Sequence, residues 1–174
     1  MSNCTQWKPS PAKDFLSAEN IDRADATVKE IFDMMFALDI RSMDAPLDDD
    51  GEFGPDDKTA IVGFSGSLRG CCQVRMNRLA AHTVALAMLG GLPVAEGDEP
   101  LNDALGELCN MLAGGWKNGI ADVAAACALS SPTIISGFDY KIHMARPSTK
   151  LCRTYQFGAH MLHLTLYREI GSQT

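Results

Sequence analysis

Asp103-Ala-Leu-Gly-Glu107-Leu-Cys-Asn110-Met-Leu-Ala-Gly114 is the stretch on which the fold turns. Residues of an α-helix follow one another at about 100°, so positions three or four apart share a face. Across 99–118, Leu101, Ala104, Leu105, Leu108, Met111 and Leu112 recur at that spacing and form one apolar stripe. Asp103, Glu107, Asn110 and Gly114 fall together on the opposite side. A carboxylate and an amide one turn apart, beside a residue with no side chain, make a small polar platform that another macromolecule can approach closely. Polar residues fill the outward face of any amphipathic helix, so the spacing alone marks an exposed surface.

Outward from this helix, the chain divides by changes of period. Its start lies near Asp98, with Pro100 acceptable in the first turn, and its end near 120. In 20–39, Ile21, Ala24, Val28, Ile31, Phe32, Met35 and Leu38 share one face, which predicts an amphipathic helix. Segments 58–67 and 69–76 read as two strands of a hairpin turning at Gly66–Gly70. A helix over 77–89 is stopped by Gly90-Gly91-Leu92-Pro93. Beyond Pro132, strands are expected at 133–145, 150–158 and 160–169, with Gly137 and Gly158 at bends. Residues 1–18 read as a flexible lead-in, and 19–174 as a single domain. The seven acids of 42–57, with Pro46, Gly51, Gly54 and Pro55, make a solvated loop. The loop does not fit the calcium-binding pattern: with Gly51 at the sixth position, Pro46 takes the place of the first ligand and Asp57 that of the bidentate Glu.

Composition limits the function classes. A hydrophobic fraction of 46% with 21% charged residues is that of an ordinary globular protein. A net charge of −7 argues against nucleic acid and anionic membrane as partners, since both need clustered Lys and Arg. No signal-peptide pattern opens the chain and no uncharged apolar run is long enough to span a bilayer, so a cytoplasmic location is expected. Six cysteines with no CxxC spacing are read as reduced, mostly buried side chains.

Glu30-Ile-Phe-Asp33-Met-Met aligns with Glu107-Leu-Cys-Asn110-Met-Leu at an offset of 77 residues. Two copies of a helix–hairpin unit about a pseudo-twofold would produce this, and so would two unrelated amphipathic helices. The pattern of elements is α+β, with long helices packed on a mainly antiparallel sheet.

Asp103, three residues, Glu107, two residues, Asn110 and then Pro132 follow the motif order of a known family. The segments Glu107–Gly114 and Leu129-Ser-Ser-Pro-Thr-Ile-Ile-Ser-Gly137 match it as well. On these residues the chain resembles the CheC/CheX/FliY family of chemotaxis phosphatases, the CheX branch most closely, with Pro132 one residue short of the family spacing. The resemblance covers about 20–169 and implies a CheC/CheX-like fold of two pseudo-symmetric helix–hairpin halves. It also implies a homodimer joined through its sheets, compatible with the absence of Pro between Ser148 and Glu169.

The function implied by the resemblance is hydrolysis of the aspartyl phosphate of a CheY-type response regulator. Asn110 would orient the attacking water, and Glu107 would dock to the regulator's Lys. By geometry alone, Gly114 would permit close approach of the partner, and Asp103 would stand beside the contact as a helix-surface or N-terminal dipole residue without taking part in the chemistry. No metal or cofactor is expected on this chain, because the regulator supplies its own Mg²⁺. In the first helix Asp33 replaces the amide, and a carboxylate lacks N–H donors, so Glu30 and Asp33 are expected to be inactive. The alternative is a non-catalytic module of the same fold that binds a regulator or a flagellar or signalling partner.

The chain's own chemistry is otherwise sparse. His160 and His163 lie three apart on an expected strand and point to opposite faces, and isolated His82 and His143 read as satisfied structural residues. Ser65-Gly66-Ser67 lacks the strand–turn–helix context of a hydrolase nucleophile.

Overall fold

Ser17 opens the first helix by accepting a hydrogen bond from the Asn20 amide at 3.3 Å. The computed structural model, which describes residues 15–43, 54–120, 125–137, 140 and 142–170, continues this helix as α1, Ala18–Ile31. A π-turn over Phe32–Phe36 follows, and Ala37 closes it in the left-handed region with φ 52°. The wider turn moves the inward position by one residue: Phe36 is 6% exposed and Met35 is 56% exposed. The expected helix over 20–39, with Met35 on its inner face, is corrected accordingly.

The strands are β1 Arg41–Met43, β2 Asp57–Gly66, β3 Gly70–Asn77, β4 Cys127–Leu129, β5 Thr133–Ser136, β6 Ser148–Phe157 and β7 His160–Glu169. Helix α2, Arg78–Met88, follows β3, and α3, Glu99–Asn118, carries the opening stretch. All strand pairs are antiparallel, in the order β1-β6-β7-β3-β2, with β4 and β5 both on the outer side of β2. This is an α+β fold. Exchanging the first hairpin (β2–β3) with the second (β6–β7), and β1 with β4–β5, reverses the strand order onto itself. The pseudo-twofold suggested by the 77-residue offset is therefore present in the sheet, with β3 and β7 paired at its centre.

Period-two alternation places Ala60, Val62, Cys72, Val74, Leu164 and Leu166 on the helix side of the sheet, where all are buried. Helix α3 lies over β2 and β3, its buried Cys109 directing Sγ to the Ala60 carbonyl at 3.5 Å and the Cys72 carbonyl at 3.6 Å. Helix α1 crosses α3 where α3 has glycines. A Cβ on Gly115 would stand 2.7 Å from Thr27 Cγ2, and one on Gly119 would stand 2.7 Å from Arg23 Cδ. Trp116 completes the crossing between Phe15 and Phe64, with ring centroids 5.8 Å away in each case.

Phe15 is buried in this cluster, so the tail end of the expected lead-in already belongs to the core, while 1–14 lie outside the described residues. The expected strand 133–145 ends at Ser136, where Gly137 turns the backbone with φ 154°. β1 and β4 are three-residue edge strands too short to declare a period. Of the acidic loop 42–57, Ser42 and Met43 belong to β1 and 44–53 lie outside the described residues. Cys71, Cys72, Cys109, Cys127 and Cys152 are all free, and Cys4 lies outside the described residues. Among the described residues no helix is long and apolar enough to cross a membrane, and no cluster of His, Cys, Asp and Glu could hold a metal ion.

Candidate functional site

The apolar stripe of α3 sits where its period requires: Leu101, Ala104, Leu105, Leu108 and Leu112 are buried, and Met111 lies half-buried at the margin. Asp103 and Glu107 consequently face solvent, with Asn110 and Gly114 half-exposed on the same side. The structure thus brings all four expected site residues onto one face. Among the described residues, neither the Glu107 carboxylate nor the Asn110 amide takes part in a hydrogen bond or an ion pair. Both are presented to the outside, unengaged.

One flank of this platform is built by the segment joining β4 to β5. Leu129 pairs with Phe64 and Thr133 with Ile61, so this edge holds one more residue than β2 does across the gap, and it bulges. Ser130 stitches the bulge to β2: its amide donates to the Gly63 carbonyl at 3.0 Å, and its Oγ accepts from the Gly63 amide at 2.8 Å. Its hydroxyl in turn donates to the Ser131 carbonyl at 2.9 Å. The bulge turns Pro132 toward α3, where a Cβ on Gly106 would come 3.3 Å from Pro132 Cβ. Two turns further on, a Cβ on Gly114 would stand 3.8 Å from Leu129 Cδ1. The 129–132 segment therefore runs alongside α3 for the length of the Glu107–Asn110 platform.

The start of α3 is held in an unusual way. Asp98 occupies the N-cap position but its side chain does not cap the helix. It pairs instead with Arg78 on α2 and, at 3.3 Å, with Lys58 on β2. Lys58 is 3% exposed, and its Nζ also donates to Asn102 Oδ1 at 3.0 Å and to Ser136 Oγ at 3.2 Å. An ammonium has three donors, and here three acceptors meet it. Burial, and then the Arg78 charge, lower the Lys58 pKa from its ordinary value.

Glu30 and Asp33 are both exposed on the first helix, Asp33 at the start of the π-turn, where a carboxylate stands in place of the Asn110 amide. The histidines divide as their spacing predicts on β7. His160 contacts Thr83 of α2 at 3.1 Å, and His163 contacts Thr154 on the opposite face at 3.2 Å. Burial, aided by Arg75, pushes the His163 pKa down to about 4. His82 and His143 are exposed, which corrects the expectation that they are satisfied structural side chains. Lys58, Asn102 and the bulge were not foreseen. Gly106 was a visible signal, since glycine inside a helix costs about 1 kcal/mol against alanine and calls for a packing reason.

The family model described as chemotaxis phosphatase CheX matches residues 58–156, more than half of the chain. The chain belongs to the CheX family. The matched part contains Lys58, the whole of α3 and Pro132. The CheY-P phosphatase CheX of Thermotoga maritima is 31% identical over 88 residues, covering 51% of this chain and 57% of that protein. That alignment thus spans little over half of the relative's length. Among solved structures, the chemotaxis protein CheX from Vibrio vulnificus has a TM-score of 0.70 at 20% identity, over 92% of this chain and 100% of that one. The CheX–CheY–BeF3–Mg complex from Borrelia burgdorferi gives 0.65 at 16% identity, over 87% and 98% of the two chains. At these identities the structural likeness establishes the CheX fold.

Proposed function

We propose that this chain accelerates hydrolysis of the aspartyl phosphate on a CheY-type response regulator. The observation that carries this function is the Glu107–Asn110 pair, one turn apart on the outer face of α3 and unengaged among the described residues. An acyl phosphate is already reactive, and the regulator brings the Mg²⁺ and Lys that neutralise developing charge. What it lacks is a water held in line with the scissile P–O bond. The Asn110 amide offers one acceptor and two donors on a rigid helix, the equipment for fixing that water. This is the part a glutamine plays in GTPases.

Glu107 pairs with the regulator's Lys and sets the docking angle. Asp103 and Gly114 flank the contact, Gly114 admitting the partner's surface where a side chain would stand. The chain contributes no metal or cofactor. A CheY-P phosphatase among the relatives supports the reaction class, and a fold neighbour solved together with CheY supports the partner class. A homodimer joined through the sheets and a cytoplasmic location complete the proposal.

The test is direct. Response regulators from the same genome are phosphorylated and mixed with substoichiometric protein. One of them is expected to lose phosphate faster than it does alone. No acceleration with any of them would leave a non-catalytic binding module.

A further inference from the structure

The 77-residue offset that relates Glu30 to Glu107 also relates the points at which the two long helices are anchored. Asn102 stands five residues before Glu107, and Asp25 stands five before Glu30. Asn102 is bound by Lys58 on β2, the outer strand of the first hairpin. Asp25 is bound by Arg153 on β6, the outer strand of the second hairpin, through two hydrogen bonds of 2.9 and 2.6 Å. Tyr155 Oη adds a third bond to Asp25 at 2.7 Å. Each long helix is thus tied, at the same place relative to its acid, by a basic side chain from the hairpin of the other half.

The two anchors differ in one respect. Arg153 and Tyr155 both belong to β6, so the first anchor joins α1 to a single strand. Lys58 joins three pieces: its own strand β2, the first turns of α3 through Asp98 and Asn102, and β5 through Ser136. Ser136 lies four residues beyond Pro132 on the same edge. Lys58 therefore connects the helix that carries Glu107 and Asn110 to the strand that carries the bulge beside them.

We infer that Lys58 is a positioning residue: through Asn102 and Ser136 it sets the register of α3 against the Pro132 bulge and so the geometry of the Glu107–Asn110 platform. Its effect on turnover rests on the phosphatase function proposed above, whereas its effect on register does not. Lys58→Met removes the charge but keeps the stem, and Asp98 retains Arg78, so no carboxylate is left without a cation. Asn102→Ala cuts only the helix end of the anchor. Arg153→Met cuts the corresponding anchor of α1, at Asp25, which holds the helix with Glu30 and Asp33.

Backbone amide hydrogen exchange separates the three variants. Lys58→Met and Asn102→Ala are expected to speed exchange about tenfold or more in 101–110 and 133–136 while α1 and β6 keep wild-type rates. Arg153→Met is expected to do the converse. On the phosphatase assay, Lys58→Met lowers kcat about tenfold, and Arg153→Met stays within about twofold of wild type. Uniformly faster exchange in Lys58→Met, or equal losses of kcat in Lys58→Met and Arg153→Met, would show general destabilisation and overturn the inference. An inactive wild type would count against the phosphatase function alone, and the exchange pattern would still decide the role of Lys58.

Discussion

Gly106 lies beneath Pro132, so close that a Cβ on the glycine would meet the proline's own Cβ at 3.3 Å. The glycine is buried inside α3, one residue before Glu107, and the proline is the exposed end of the bulge between β4 and β5. A helix residue and a residue of the β4–β5 connection thus set the width of the platform's flank.

Gly106→Ala tests this relationship. Alanine gains about 1 kcal/mol of helix propensity, and the exposed Pro132 segment yields by a few tenths of an ångström at comparable cost. The melting temperature should therefore change little, while phosphatase acceleration falls because the bulge is pushed off Glu107. A variant with wild-type activity would show that the flank is not part of the site.

Gly114 and Gly115 are adjacent and should respond oppositely. A Cβ on Gly114 makes only an ordinary contact with Leu129, so Gly114→Ala is expected to keep or raise stability, by up to about 1 kcal/mol. If the partner approaches over Gly114, the same change raises KM for the phosphorylated regulator. A Cβ on Gly115 would collide with the stiff, buried Thr27, so Gly115→Ala should destabilise by about 1–3 kcal/mol. Thr27→Ala in the same chain should recover part of that loss, which a double-mutant cycle of denaturant midpoints measures.

His163 carries a pH dependence of stability. Its pKa is about 4 in the folded chain against the ordinary 6.5 of an exposed imidazole. Between these values the unfolded chain binds more protons, so stability falls as the pH drops from 6.5 toward 4, and this contribution is fully present above 6.5. Melting temperatures of wild type and His163→Gln across that range should differ in slope, the variant being flatter. Parallel curves would contradict the burial assigned to His163.

The sequence carried the parts of this fold that depend on period. The stripe from Leu101 to Leu112 placed Glu107 and Asn110 outward, and the runs 58–67, 69–76, 150–158 and 160–169, bounded by turn glycines, placed the long strands. The 77-residue offset between Glu30 and Glu107 pointed to the twofold that the strand order displays. What escaped depends on tertiary geometry. The π-turn that buries Phe36 in place of Met35 breaks the helical period without a proline or glycine to announce it. The edge strands β1 and β4 have three residues each, fewer than any period needs. Lys58 carried no local sign of its role, because its acceptors come from α3 and β5, 40 to 78 residues further along the chain.

Under the proposed function, the Asn110 amide does the chemistry and Glu107 holds the partner. The most direct measurement is the rate of phosphate loss from a phosphorylated regulator with wild-type protein and with Asn110→Ala. Replacing the amide should remove about 2–4 kcal/mol of transition-state stabilisation while binding of the regulator persists. Equal rates with wild type and Asn110→Ala would contradict the role proposed for Asn110.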